Sequence, residues 1–213
     1  MRVLLFGATG SAGGCVLRIC LDSPAVTGVR AIARRPPSAQ SPKLDVVSHD
    51  DYLNFDSVRA SFSNVDVCLY CLGKSVQQVS GEDEYRRITH DYALAAARML
   101  RQESPAATFH FLSGEGAALD SRAMWCRVKA ETERSLAPFD AVCWRPGLID
   151  GMGSSSEPLS YKVMRPLGRL LLQSSTKWYV TGDDLGRAML TAAREGRRGG
   201  VIDNAEIRRL ART

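Results

Sequence analysis

One glycine spacing constrains this chain more than any other feature. "GATGSAG" (residues 7–13) follows an apolar run, "RVLLFGA" (2–8), and leads into "SAGGCVLRICLDS" (11–23), whose apolar residues recur at helical spacing. Strand, tight turn and helix in that order open a βαβ unit. The glycines are spaced G-x-x-G-x-x-G. Gly7 permits the turn out of the strand, Gly10 leaves room for a diphosphate at the backbone, and Gly13 lets the helix approach the sheet. Thr9 and Ser11 add hydroxyl donors. Ala12 lies among the helix-start amides, where unpaired N–H groups and the helix dipole attract an anion. The loop is therefore expected to hold a dinucleotide.

Strand and helix patterns alternate through the rest of the chain. Strands are predicted over 29–35, 43–50, 65–73, 107–114 and 139–147, with a last one over 199–204. Helices are predicted over 56–64 with Asp56 as cap, 82–104, 122–137, 183–196 capped by Asp183 or Asp184, and a last one from 205 to 213. Strands apolar on both faces and joined by helices specify an α/β protein with a parallel sheet covered on both sides. "GMGSSSEP" (151–158) is the one loop-like break. The expectation is a single domain over 1–213: a cofactor-binding core over 1–150 and a small C-terminal, substrate-side addition over 151–213.

Composition narrows the function classes. The net charge of +5 rests on arginines scattered along the chain, which predicts a solvated surface and no nucleic-acid partner. There is no apolar run near the roughly 20 residues of a membrane helix, so no membrane partner is expected. The N-terminus enters "MRVLLFGATGSAGG" directly, without the apolar core and cleavage site of a signal peptide, which predicts a cytoplasmic protein. Cys68 and Cys71 form a C-x-x-C, but on a strand these positions point to opposite faces, so buried thiols are expected. His49, His90 and His110 lie on separate elements, and no metal site is predicted.

The end of the second strand distinguishes the two nicotinamide dinucleotides. An acid there suits a ribose 2′-hydroxyl, and arginine suits a 2′-phosphate. Arg34 and Arg35 stand there with no acid, so NADP(H) is expected, with NAD(H) the poorer fit. Asp51 and Tyr52 follow the third strand where adenine would lie; Asp51 is equally suited to a turn.

"GATGSAGG", "CLGK", "HDYALAAARML", "FLSGEGA", "WCRVKAETE" and "WRPGL" occur in that order. Together they resemble the atypical short-chain dehydrogenase/reductases, in particular the Tat-interacting-protein-like group, over roughly residues 1–150. The resemblance implies a Rossmann-type doubly wound fold, an NADP(H) site and oxidoreductase activity. It also implies that Leu72 and Gly73 line the cofactor and that Pro146 and Gly147 border the nicotinamide. In that family a lysine, here Lys129, holds the nicotinamide ribose, a serine, here Ser113, positions the carbonyl, and a tyrosine four residues before the lysine delivers the proton. This chain has Trp125 at the tyrosine position and Gly114 where a second serine is frequent. An indole N–H only donates a hydrogen bond.

The expectation is an NADP(H)-binding protein with weak or no classical reductase activity, because Trp125 replaces the tyrosine, and the alternative is an active NADPH-dependent reductase of small carbonyls or quinones; three readings of Trp125 follow. The chain is a reductase acting on a small molecule with a relocated acid, for which Tyr161, Ser113 or a water is available. It is an NADP(H)-binding regulator read by a protein partner. Or Trp125 packs over the nicotinamide pocket and closes it. Glu115 stands near the pocket mouth or in solvent. "VMRPLGRLLLQ" (163–173) carries an apolar stripe suited to the cleft, the core or an oligomer face.

Overall fold

Seven parallel strands in the order β3-β2-β1-β4-β5-β6-β9 organise the chain, seen in a computed structural model that describes residues 1–151 and 178–213. In chain order the elements are β1 (Arg2–Phe6), α1 (Ser11–Asp22), β2 (Gly28–Ala33), β3 (Leu44–Ser48) and β4 (Val67–Tyr70). Next come α2 (Glu82–Arg86), α3 (Tyr92–Glu103), β5 (Thr108–Leu112), α4 (Met124–Leu136), β6 (Val142–Arg145) and β7 (Leu148–Asp150). The chain ends with β8 (Tyr179–Thr181), α5 (Gly182–Arg194), β9 (Val201–Asp203) and α6 (Asn204–Leu210). β7 and β8 form a separate two-stranded parallel ladder. This is the expected α/β doubly wound Rossmann-type fold.

Alternation along each strand feeds two cores. Val3, Leu5, Val67, Leu69, Val142 and Trp144 face one side, with α1, α5 and α6 packed over them. Leu4, Phe6, Cys68, Tyr70 and Cys143 face the other, beneath α3 and an aromatic group of Tyr52, Phe55, Phe62, Phe109 and Phe111. Cys68 thus packs in the second core and Cys71 against the first. Among the described residues no helix is long and apolar enough to cross a membrane.

Several boundaries differ from expectation. β2 stops at Ala33, before the Pro36-Pro37 pair, so Arg34 and Arg35 lie in the turn beyond it. Asp56 is no cap: Phe55 holds that position, the segment Asp56–Phe62 is a 3-10 turn, and Val58 is non-helical. Neither Asp183 nor Asp184 caps α5; Thr181 does, its hydroxyl accepting the Asp184 N–H, and both acids sit in the first turn near the positive helix end. The helix expected over 82–104 contains a π-turn, Arg87–Asp91, between α2 and α3. β7 and β8, three residues each, were not foreseen. The 163–173 stripe and Tyr161 lie outside the described residues.

Candidate functional site

The glycine loop is built by contact as much as by flexibility. Gly7 has φ +79°, a left-handed conformation that side chains resist, and a Cβ there would stand 2.5 Å from the Cys71 carbonyl oxygen. A Cβ on Gly13 would stand 2.1 Å from the Gly7 oxygen, so the third glycine lets α1 close on the loop itself. The Gly10 N–H donates to Gly7 O at 2.9 Å and the Gly14 N–H to Gly10 O at 2.8 Å. The intervening amides of Ser11, Ala12 and Gly13 belong to the helix start, which has no capping side chain and no acid in its first turn. They form a cradle for an anion.

Two cavities meet at this cradle, sharing Gly10 and Leu72. The larger, about 540 Å³, is walled by Gly7, Thr9, Arg34, Arg35 and Tyr52 among others. Both arginines are exposed, and among the described residues neither guanidinium pairs with a carboxylate. Tyr52 is buried, with burial pushing its phenol pKa up. Asp51 lines neither cavity; its carboxylate accepts the Leu53 N–H at 3.1 Å, so the turn role is the one it takes.

The second cavity, about 350 Å³, brings Ser11, Ala12, Leu72, Gly73, Ser113, Lys129 and Gly147 together with Tyr85 and Thr89. Its outer wall includes Lys74, which pairs with Glu84 at 3.1 Å. Glu84 also accepts the N–H and hydroxyl of Ser80, bonds that with Lys74 hold its pKa down to about 2. Gly147 is held from behind: the buried Asn204 side chain accepts its N–H at 2.9 Å and donates to Tyr179 O at 2.9 Å. Pro146 does not reach the cavity; its carbonyl accepts the Glu115 N–H at 2.9 Å, which anchors Glu115 away from the lining.

Lys129 and Ser113 are in place but engaged. The Lys129 ammonium donates to Leu112 O at 3.0 Å and Ser113 O at 2.7 Å and lies 5.6 Å from the Phe111 ring centre. Burial pushes its pKa down to about 8, against the upward pull of Glu133. With two of its three protons committed, one remains for a ribose hydroxyl. The Ser113 hydroxyl donates to Glu133, whose carboxylate also takes Nε of Arg145 at 2.9 Å and an NH2 group at 2.5 Å. A serine has one proton to give. Ser113 therefore offers the cavity lone pairs, not the donor expected for a carbonyl.

Trp125 is not in the cavity lining, which corrects the reading in which it closes the pocket. Its Cζ3 packs beside Gly114: a Cβ there would stand 3.6 Å from that atom and 3.6 Å from Cδ of Lys129. Three residues escaped sequence reasoning. Glu133 was visible as the next i+4 position after Lys129 on α4. Tyr85 and Thr89 carried no local signal. His90 is a fourth surprise of a milder kind, bonded to Asp91 at 2.7 Å and Ser135 at 2.9 Å. Among the described residues no cluster suited to a metal ion occurs.

Comparison with known proteins places this geometry in context. No protein-family model matches the chain. Protein fmp52-2, mitochondrial, of Aspergillus oryzae is 29% identical over 223 residues, covering 98% of this chain and 96% of the relative. Protein FMP52, mitochondrial, of Saccharomyces cerevisiae is 27% identical over 197 residues, covering 88% and 85%. Those names overturn the cytoplasmic expectation: lack of a secretory apolar core does not bear on a mitochondrial address, whose signals are amphipathic. Among solved structures, MoeE5 in complex with UDP-glucuronic acid and NAD superposes with TM-score 0.73 at 17% identity, covering 94% of this chain and 75% of its own. DesIV, a dTDP-glucose 4,6-dehydratase from Streptomyces venezuelae with NAD and TYD bound, gives 0.72 at 16%, covering 99% and 80%. A short chain dehydrogenase family protein from Francisella tularensis gives 0.68 at 13%, covering 94% and 95%. At these identities the structures establish the shared Rossmann-type fold.

Proposed function

We propose that the paired cavities hold a nicotinamide dinucleotide, NADP(H) in preference to NAD(H), and that the chain is an oxidoreductase of the atypical short-chain type for small carbonyl or quinone substrates. The observation that carries this is the junction of the two cavities at the glycine loop: Gly7, Thr9 and Gly10 line the larger one with the two uncommitted guanidinium groups, and Gly10, Ser11 and Ala12 line the smaller. NAD bound to proteins of this fold supports the dinucleotide. The motif series supports the Tat-interacting-protein-like group. The names of the relatives support a mitochondrial setting.

In this reading the amides of Ser11, Ala12 and Gly13 bind the diphosphate, and Arg34 and Arg35 bind the 2′-phosphate. Leu72 and Gly147 flank the nicotinamide, and the remaining Lys129 proton binds its ribose. When bound, the reduced cofactor supplies a hydride. Trp125 takes no part in proton transfer.

Calorimetric titration tests the reading. NADPH is expected to bind at least about tenfold tighter than NADH, from a charge-assisted contact of roughly 1.5–3 kcal/mol. Replacing both Arg34 and Arg35 with alanine should erase that preference and leave NADH binding within about twofold. Equal affinity of the two cofactors for the unmodified protein refutes the 2′-phosphate assignment. A second reading, a nucleotide-dependent regulator recognised by a protein partner, is favoured by the indole of Trp125 standing outside the cavity. Tight NADPH binding without turnover would select it.

A further inference from the structure

We infer that Tyr85 is the proton donor of the smaller cavity, supplying the phenol that Trp125 lacks. The inference rests on the nicotinamide reading above.

Its first support is the register between two helices. Arg127 of α4 pairs with Glu82 of α2 at 2.9 Å, Arg86 of α2 pairs with Glu131 of α4, and His90 in the π-turn bonds Ser135 at 2.9 Å. Each partnership spans 45 residues. A constant offset means that the two segments run parallel and in step. The same offset sets Tyr85 level with Ala130, one residue beyond Lys129, or about 1.5 Å along the axis. The ion-paired row occupies one flank of the helix pair, and Tyr85, one position before Arg86, turns to another, where it joins Lys129 in the cavity wall.

Burial and chemistry supply the second support. Tyr85 is 3% exposed and Thr89 4% exposed, and both line the cavity together with Ser113 and Lys129. The Thr89 hydroxyl makes no hydrogen bond among the described residues, so a buried polar group there faces the ligand space. Thr89 sits in the π-turn, a distortion that recurs at functional sites because it re-aims side chains. Two other groups of the wall are poorer proton donors. The Ser113 proton is held by Glu133, and Cys71 is a thiol whose pKa burial pushes up to about 12.

The proton step balances as follows. Hydride addition to a carbonyl carbon moves the C=O π pair onto oxygen. The Tyr85 O–H bond then breaks, its electron pair stays on the phenolate oxygen, and the proton closes the new hydroxyl. Water at the cavity mouth returns a proton to Tyr85. One carbonyl becomes an alcohol, one reduced nicotinamide is oxidised and one proton is consumed.

The test compares the unmodified protein with Tyr85→Phe and Trp125→Phe. Calorimetry measures NADPH binding. Fluorine NMR of protein carrying 3-fluorotyrosine follows the Tyr85 signal, identified by its loss in Tyr85→Phe. NADPH consumption is followed with aldehydes, ketones and quinones. We expect NADPH affinity within about twofold in both variants and a Tyr85 signal that moves when NADP is added. Turnover should fall on the order of 10²–10⁴-fold in Tyr85→Phe and stay within a few-fold in Trp125→Phe. A Tyr85 signal unmoved at saturating NADP, turnover retained in Tyr85→Phe, or tight NADPH binding with no turnover on any substrate overturns the role of Tyr85 and leaves the nucleotide reading standing. Absence of NADPH binding to the unmodified protein overturns both.

Discussion

Replacing Glu133 with glutamine probes the part of the site that holds Lys129 and Ser113 in place. The carboxylate accepts the Ser113 hydroxyl and a forked pair of bonds from Arg145, and its charge pulls the Lys129 pKa upward. Glutamine keeps the shape and removes the charge. Stranding a fully buried partner costs about 3–5 kcal/mol. The Arg145 side chain is 29% exposed, so water compensates in part, and a cost of about 1–3 kcal/mol is expected. For a chain of this length that lowers the melting temperature by roughly 3–10 °C. The second effect is on pH dependence. The folded pKa of Lys129, about 8, is below its ordinary 10.5. The unfolded chain therefore binds more protons between those values. The stabilisation linked to Lys129 is complete above 10.5, declines as pH falls, and is gone below about 8, with a slope of at most about 1.4 kcal/mol per pH unit. Without Glu133 the folded pKa drops further, so the lower edge of that window moves below 8. Thermal melts from neutral to alkaline pH would show this as a difference from the same proteins carrying Lys129→Met. Equal melting temperatures within about 1 °C, together with an unshifted lower edge, would refute the reasoning.

The glycine loop and the deep core offer further checks. Gly13→Ala sets a methyl against the Gly7 carbonyl, backbone that cannot swing aside, and should cost about 1–3 kcal/mol in urea unfolding and abolish calorimetric NADPH binding; unaltered binding would contradict the cradle. His110 is fully buried, its Nδ1 accepting from the Trp144 indole at 3.3 Å, and burial pushes its pKa down to about 3. Its depressed folded value gives stability that is present above about 6.5 and lost as pH falls towards 3, at up to about 1.4 kcal/mol per unit. Acid melts of the unmodified protein against His110→Leu should differ in slope over that range, and parallel curves would count against a neutral buried imidazole.

What the amino-acid order made legible was what local physics decides. β1, the glycine turn and α1 were readable because apolar period and turn chemistry are encoded within a dozen residues. The two cores followed from strands apolar on both faces. Ends were less secure. Thr181 outcompetes two acids as the α5 cap, because the cap is chosen by which residue adopts the extended conformation before the first turn. β7 and β8 are too short to show a period, and they pair only because Gly147 admits the Trp178 backbone, where a Cβ would meet it at 2.6 Å. In the site, Lys129 and Ser113 were found by spacing, but their partners were not. The engagement of Ser113 by Glu133 joins residues twenty apart, and Tyr85 reaches the cavity through inter-helix register that no single window contains.

The carboxamide of Asn204 has a consequence for how the cleft could diverge. It is the first residue of the terminal helix, yet it bonds the Gly147 turn and the start of β8, both more than twenty residues upstream and the first of them bordering the cavity. Drift in the last ten residues would thus reshape the floor beneath a bound molecule without altering any group that touches it. Selection for new ligands could act on this chain from its tail inward.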